Sequence, residues 1–473
     1  PAGATPQLFL DEAGQPLSFF DAVVTGQSNG VPGAIAMLHL AHQEHGRLPW
    51  ADLFQPAIRL AEEGFLVTPR LNKMIAWSPA LPHLPWSRAY FFTEDESGNA
   101  VPLAVGTRLK NPAYAKSLRL IAERGPDVFY KGEIAEAIVA ASQNAPTRPG
   151  TLSMADMAAY EPVKRDPICL TYRMYNVCGM PPSTSGGLTS LQTLGILESF
   201  DMGALRPGSL EVVHLVTEAS RLAYADRDFY IGDTDFVDVP VAAMLDENYL
   251  ASRARLIDLS SSIGKAEAGV PEAAGDLGSR YTPNESRSRP STSHLSIVDG
   301  QGNVVSMTTS IEAPFGSHLM AGGFFINNQL TDFSFRPVID GKPVANAVAP
   351  GKRPRSSMTP SMVFDAKGDF HLAIGSPGGS RIIAYVTQTL VALLDHLPMQ
   401  EAIDQPRHVN RNGPLEIEEG TLIADLKAEL EQLGHEVVVK EITSGLHGIR
   451  RLEGGLEGGA DPRREGVVLS GRL

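Results

Sequence analysis

Apolar residues recur at helical spacing from about Ala34 to His45, from Trp50 to Gly64 and from Asn111 to Gly125. In the third, Asn111-Pro112 supplies the cap and first turn and Gly125-Pro126 the stop. Further helices are predicted over Met154–Tyr160 behind a Ser153 cap, over residues 188–199, Leu210–Tyr230, Ile382–Leu394, Glu401–Arg407 and Asp425–Gly434. The period changes to two over Pro167–Val177, and a buried-type strand is predicted at Phe370–Ile374. Residues 293–298 alternate with β-formers, Asp299–Asn303 is dense in turn formers, and Val304–Ile311 reads as a returning strand. If 299–303 close the hairpin, Val298 pairs with Val304, and counting outward puts Thr292 opposite Ser310. Directly paired residues hold their Cβ atoms about 4.5–5.5 Å apart, within reach of a hydroxyl–hydroxyl hydrogen bond. From Leu259 to Ser291 the composition turns to Ser, Gly, Ala, Pro and charge, which predicts a flexible segment ending at Thr292.

Composition narrows the partners. The 473 residues, 43% of them hydrophobic, are enough for a large core, and a formal charge of −14 argues against nucleic acid as a partner. No apolar run approaches the roughly 18–20 residues of a membrane span. Two cysteines, Cys169 and Cys178, make no disulfide framework and leave the redox compartment open. The chain starts at Pro1 without Met or a signal-like stretch, so it is expected to begin inside a longer gene product.

Several patterns suggest chemistry. His39, His42 and His45 share a helical spacing, but no carboxylate-and-histidine ligand pattern surrounds them, so a solvated helix face is expected and no metal site. Met180–Gly187 is glycine-rich yet lacks the Gly-Lys-Ser/Thr ending of a phosphate loop, so it is read as a tight strand-to-helix turn near a site wall. Ala225-Asp226-Arg227-Asp228 is read as internal ion pairing, since no calcium-type loop follows. Gly378 and Gly379 open the Ile382–Leu394 helix, where backbone N–H groups favour negative charge. A Thr hydroxyl becomes a useful nucleophile when a base adjoins it, and a freed α-amino group on the same residue is such a base. Ser/Thr pairs across hairpins are also common without chemistry, so Thr292 and Ser310 alone leave both readings open.

The order of motifs closes that choice. Thr292-Ser293-His294, the hairpin, Phe315-Gly316, Asn327–Ser334, Arg353–Met358 and Gly375–Arg381 together resemble the γ-glutamyltransferase (glutathione hydrolase) family of N-terminal-nucleophile hydrolases. The resemblance implies an α+β fold, a four-layer αββα sandwich. It implies self-cleavage between Ser291 and Thr292, giving a large-subunit part (1–291) and a small subunit (292–473) that form one shared fold. The implied reaction passes a γ-glutamyl group from glutathione or related amides to Thr292, then to water or an amino acid or peptide, without cofactor or metal. Carried over residue by residue, Thr292 is nucleophile and base, Ser310 its hydroxyl partner, and Gly378 and Gly379 the oxyanion-hole glycines. Ser356 and Ser357 match the groups that hold the substrate α-carboxylate, and Gln329 and Asp332 those that hold its α-ammonium.

The sequence also departs from the family. Glu312 stands where an Asn is usual near the ammonium, and two residues beyond Ser310 it is expected on the same strand face. The stretch between Ser334 and Ala345, where some members carry a lid, is short and has no Tyr. The family's carboxylate-clamping Arg is expected upstream of Pro1. A periplasmic or secreted location is what the resemblance favours. The alternatives are an acylase of the same fold acting on glutaryl-type cephalosporin amides, or an unprocessed relative that only binds.

Overall fold

A computed structural model describes residues 1–275, 280–284, 291–394 and 397–471. The chain forms two compact units, one of Pro1–Lys164, Ile311–Thr331 and Val348–Gly351, the other of Arg165–Ser310, Asp332–Ala347 and Lys352–Leu473.

The first unit is mainly helical. Its helices Ala34–His45, Pro112–Arg124 and Glu133–Gln143 surround a core containing Ile121, Phe129, Ile134, Ile138, Leu152, Leu319 and Ile326. Asn111 caps its helix by accepting from the Tyr114 N–H, and Gly125 ends it at φ 72°. The single helix expected over 50–64 is instead a 3-10 turn, Trp50–Phe54, followed by an α-helix, Gln55–Glu63. Pro56 explains the break: it has no N–H for a helix running through it, but it fits the first turn of a new one. His39 and His42 do not form a solvated face with His45; both stand edge-on to Trp50, with ring centroids 5.0 and 5.3 Å away.

The second unit is built on a six-stranded antiparallel sheet. Its spatial order is Gly455–Ala460, His447–Leu452, Phe370–Gly375, Ser361–Phe364, Tyr175–Gly179 and Ile168–Tyr172. Helices Gly186–Leu197, Leu210–Tyr230 and Ile382–Leu394 share a core with it, including Leu191, Leu194, Leu215, Leu222, Val363, Leu372, Ile374, Val386 and Leu390. The one strand expected over 167–177 is a hairpin turning at Arg173-Met174, where Arg173 takes φ 57°. Alternation passes through a two-residue turn without a break in pattern, so periodicity did not mark it. Cys169 and Cys178 sit directly opposite each other in that hairpin and form one local disulfide.

The hairpin Ser293–Val298/Val304–Thr309 forms its own two-stranded sheet, in the expected register: Val298 pairs with Val304 and Ser293 with Thr309. Asp299 shapes its loop by accepting from the N–H groups of Gln301 and Asn303. It lies against the large sheet through Ser306 Oγ, which donates to the Ile374 carbonyl, and through the buried ring of His294 against Gly375. The architecture is α+β, and the same unit carries a further three-stranded sheet of His408–Val409, Leu415–Glu418 and Val437–Lys440.

Two expectations about local order change. The returning strand stops at Thr309, two residues early. The flexible segment expected over 259–291 falls partly on residues 276–279 and 285–290, which lie outside the described residues. Where described, its first part is pinned: Glu218 accepts from Ser262 Oγ and the Ile263 N–H, Asp226 from the Gly269 N–H, and Asn412 from the Ala266 N–H. Buried carboxylates on the long helix need donors, and this polar stretch supplies them. Composition could not reveal that. Among the described residues no helix is long and apolar enough to cross a membrane.

Candidate active site

The hairpin register decides what adjoins Thr292. Its Oγ1 lies 2.9 Å from Ser310 Oγ, one pair beyond the last formal ladder pair. Thr292 takes φ 89°, the left-handed region that a β-branched residue avoids. Such a conformation costs on the order of 1–3 kcal/mol. The carbonyl oxygen of Ser291, just before it, accepts a 3.0 Å hydrogen bond from the Gly378 N–H. The bond between Ser291 and Thr292 is therefore held with its carbonyl on a backbone donor and its neighbouring hydroxyl on a second hydroxyl.

Gly378 has to be glycine. Its φ is 146°, and a Cβ there would lie 2.6 Å from the Tyr385 ring. Gly379, at φ 62°, starts the 3-10 turn Gly379–Arg381 that runs into the Ile382–Leu394 helix. Gly378 and Gly379 thus stand at a helix start, as their sequence implied.

His294 is occupied by two hydroxyls. Its Nδ1 is 2.8 Å from Thr308 Oγ1 and its Nε2 3.1 Å from Ser296 Oγ. Burial, with a smaller contribution from His447, lowers its pKa to about 3. A neutral ring held by two hydroxyls braces the hairpin.

The serine pair rests on a buried ionic cluster. Arg227, 1% exposed, donates from Nη1 to Asp228 Oδ1 at 2.6 Å, from Nε to Ser185 Oγ at 2.8 Å and from Nη2 to Ser357 Oγ at 2.9 Å. Arg355 pairs with the same Asp228 at 3.2 Å and donates to the Arg227 carbonyl at 2.8 Å. Burial, then Arg227, lowers the Arg355 pKa to about 9, with Asp228 and Asp332 acting in the opposite direction. Ser185 gives both its N–H and its hydroxyl to the Ser356 carbonyl, each at 2.8 Å. The internal pairing expected for Asp226–Asp228 is present, with Asp226 held by Arg253 at 3.2 Å. The Met180–Gly187 turn does pack on the serine loop, and a Cβ on Gly186 would lie 2.3 Å from the Met358 carbonyl. Sequence reasoning missed Arg227 and Ser185 as parts of this arrangement. Its available signal was a run of charged residues at the end of an otherwise buried helix.

Gln329 and Asp332 are carried on one 3-10 turn, Gln329–Asp332, and the Asp332 carbonyl accepts from Asn346 Nδ2. Glu312 is not on a strand face. It lies in a bend at φ 74°, because the strand has ended at Thr309. Its side chain is buried, and Oε2 accepts from Asn328 Nδ2. Asn328 also accepts from the Ala313 N–H and donates to Thr331 Oγ1. Asn328 is a third residue whose part the sequence pattern did not show, since it stood there only within the Asn327–Ser334 stretch. Among the described residues no group of three or more His, Cys, Asp or Glu side chains is arranged to hold a metal.

A Thr hydroxyl at a strand start, a hydroxyl partner and a backbone donor on the preceding carbonyl define an N-terminal-nucleophile hydrolase. Residues 1–471 match the family model described as Gamma-glutamyltranspeptidase, and the chain belongs to that family. It is 40% identical to the glutathione hydrolase proenzyme of Escherichia coli (strain K12), with 100% of this chain and 80% of the relative covered. It is 35% identical to an acylase proenzyme of Pseudomonas sp. (strain SE83), covering 100% and 82%. Among solved structures, a cephalosporin acylase from Bacillus halodurans aligns with TM-score 0.79 at 28% identity, covering 94% of this chain and 79% of that one.

Proposed function

We propose that this protein cuts its own Ser291–Thr292 bond and then hydrolyses or transfers γ-glutamyl groups through an ester on Thr292. The observation that carries the reading is the Ser291 carbonyl on the Gly378 N–H beside a Thr292 hydroxyl held by Ser310. In the first step Thr292 Oγ1 adds to the Ser291 carbonyl carbon, and the negative charge forms on the oxygen that Gly378 already contacts. Breaking the C–N bond leaves an ester on Thr292 and puts a proton on its nitrogen. Water then cleaves the ester, releasing a Ser291 carboxylate and the Thr292 hydroxyl. Cleavage also frees φ of Thr292, since the carbonyl carbon that defines it has gone, and the strain at 89° is released.

In turnover the freed amine, with an ordinary pKa of about 7.7–8.0, takes the hydroxyl proton as Thr292 attacks the γ-amide. Gly378 and Gly379 stabilise the oxyanion, and the leaving amine departs with a proton. Water or an amino acid or peptide then takes the γ-glutamyl group from the ester. Ser356 and Ser357 receive the substrate α-carboxylate, and Gln329, Asp332 and Glu312 its α-ammonium, which suits a zwitterionic head. Residues 1–291 belong to the large product of the precursor and residues 292–473 to the small one, and the second compact unit contains residues from both sides of the cut.

A glutaryl-type acylase is the competing reading, favoured by the acylase relative and the cephalosporin acylase structure. Hydrolysis of a γ-glutamyl anilide is compared with that of a glutaryl anilide, using the full-length cleaved protein. Preference for the γ-glutamyl compound is expected. Preference for the glutaryl compound overturns the γ-glutamyl assignment.

A further inference from the structure

We propose that Arg227 is a positioning residue: it fixes the Ser357 hydroxyl so that its proton faces a substrate carboxylate, and so selects substrates that carry that anion. The inference rests on the reading that Ser356 and Ser357 receive the α-carboxylate.

Arg227 reaches both serines at once. Its Nη2 donates to Ser357 Oγ at 2.9 Å, and its Nε donates to Ser185 Oγ at 2.8 Å, whose hydroxyl in turn donates to the Ser356 carbonyl. A guanidinium can only donate. A serine oxygen that accepts from it must turn its own hydrogen elsewhere. At Ser185 that hydrogen goes to the Ser356 carbonyl. At Ser357 the same polarity leaves the hydroxyl proton as a donor, strengthened because the oxygen is held by a cation. Ser357 is half-buried, so this donor is not sealed in the core as Arg227 is.

Charge points the same way. Arg227 and Arg355 are both nearly unexposed and share the Asp228 carboxylate through Oδ1. Asp332 acts on Arg355 as well, so the cluster's charges largely balance, and what reaches the serines is the local positive end of the Arg227 Nη2–H at Ser357 Oγ. Buried ionic groups of this kind are held by geometry, and their field is screened little by water. A neutral group in place of the substrate carboxylate gains far less from it. Lysine cannot replace the arrangement, because one ammonium does not reproduce three donors in a planar fork.

The test uses full-length, self-cleaved protein with R227Q, R227K, S357A and the R227Q/S357A double variant. Each is assayed on γ-glutamyl anilide and on its α-carboxamide analogue, and melting is recorded for each. For the free-carboxylate substrate, R227Q is expected to raise KM about tenfold or more with kcat changed less than threefold. For the carboxamide, KM is expected to stay within twofold. S357A should behave likewise, and the double variant should be no worse than the worse single one, because both act on one contact. R227K should fall between wild type and R227Q; if R227Q does not accumulate, the KM rise confined to the carboxylate substrate must appear in R227K. Equal losses on both substrates, or additive losses in the double variant, overturn the inference while S357A discriminates. If S357A itself does not discriminate, the assignment of the serine pair falls, and this inference with it.

Discussion

The Gly378 N–H donates to the carbonyl oxygen of Ser291 at 3.0 Å, so the donor proposed for the substrate's oxyanion already holds the carbonyl of the bond proposed for self-cleavage. One backbone group would then serve both reactions, first on the chain and later on substrate. Gly378→Ala tests this. Its new methyl would meet the Tyr385 ring at 2.6 Å, and φ 146° would be strained for any side chain, so the N–H must move. Losing one oxyanion donor typically lowers rates by about 10²–10³. Self-cleavage, followed as fragments on a denaturing gel, and turnover of γ-glutamyl anilide should both slow by that order. Normal maturation in a folded Gly378→Ala protein would separate the two reactions.

The Thr292–Ser310 contact gives a second expectation. Thr292→Ala should leave one intact band, and the wild-type small fragment should start Thr-Ser-His-Leu on N-terminal sequencing. Ser310→Ala removes the hydroxyl 2.9 Å from Thr292 Oγ1 and should slow maturation and turnover together. Ser310→Thr keeps the hydroxyl and should be tolerated. Full activity in Ser310→Ala would mean that the hydroxyl pair has no part in moving the proton.

Acid should destabilise the protein earlier than its carboxylates alone require. Burial lowers the pKa of His294 to about 3 and those of His318, His408 and His435 to about 4. Unfolded, each returns to about 6.5. Below that value the unfolded chain binds protons that the folded one refuses, so stability falls as pH falls. The slope is at most about 1.4 kcal/mol per pH unit for each histidine. Melting temperature should be flat from pH 8 to 7 and drop between pH 6.5 and 5. His294→Gln should shallow that drop. A melting temperature that holds or rises over the interval would show that these rings do become charged in the fold.

Much of the site was legible because its signals are local. Val298 opposite Val304 follows from five turn-forming residues, and that register carries Thr292 to Ser310 by counting. The helices Leu210–Tyr230 and Ile382–Leu394 were readable because their apolar runs are long. What the pattern concealed depends on partners distant in sequence. Ser262 and Ile263 look loose until Glu218, 44 and 45 residues away, takes their donors. Arg227 looks like one member of a charged run until Ser357, 130 residues on, is brought to it. The Arg173-Met174 turn escaped notice for a different reason: two strands of equal period joined by two residues mimic one longer strand.

Glu312, read from the sequence as standing where the family usually has Asn, gives the sharpest test of substrate. It is buried at φ 74°, with Oε2 held by Asn328, so its carboxylate has a fixed place. If it meets the substrate ammonium, its charge and its placement contribute separately. Glu312→Gln separates them, because a glutamine oxygen can still accept from Asn328 while the charge is gone. Binding of γ-glutamyl anilide should weaken about tenfold, around 1.4 kcal/mol, while glutaryl anilide, which has no amine, should change little. Glu312→Ala should add a loss of stability, since the Asn328 donor would then lose a buried acceptor at about 1–3 kcal/mol. Asn328→Ala should weaken γ-glutamyl binding in turn, by releasing the carboxylate from its place. Equal effects of Glu312→Gln on the two anilides would mean that Glu312 supports the bend and never faces an ammonium.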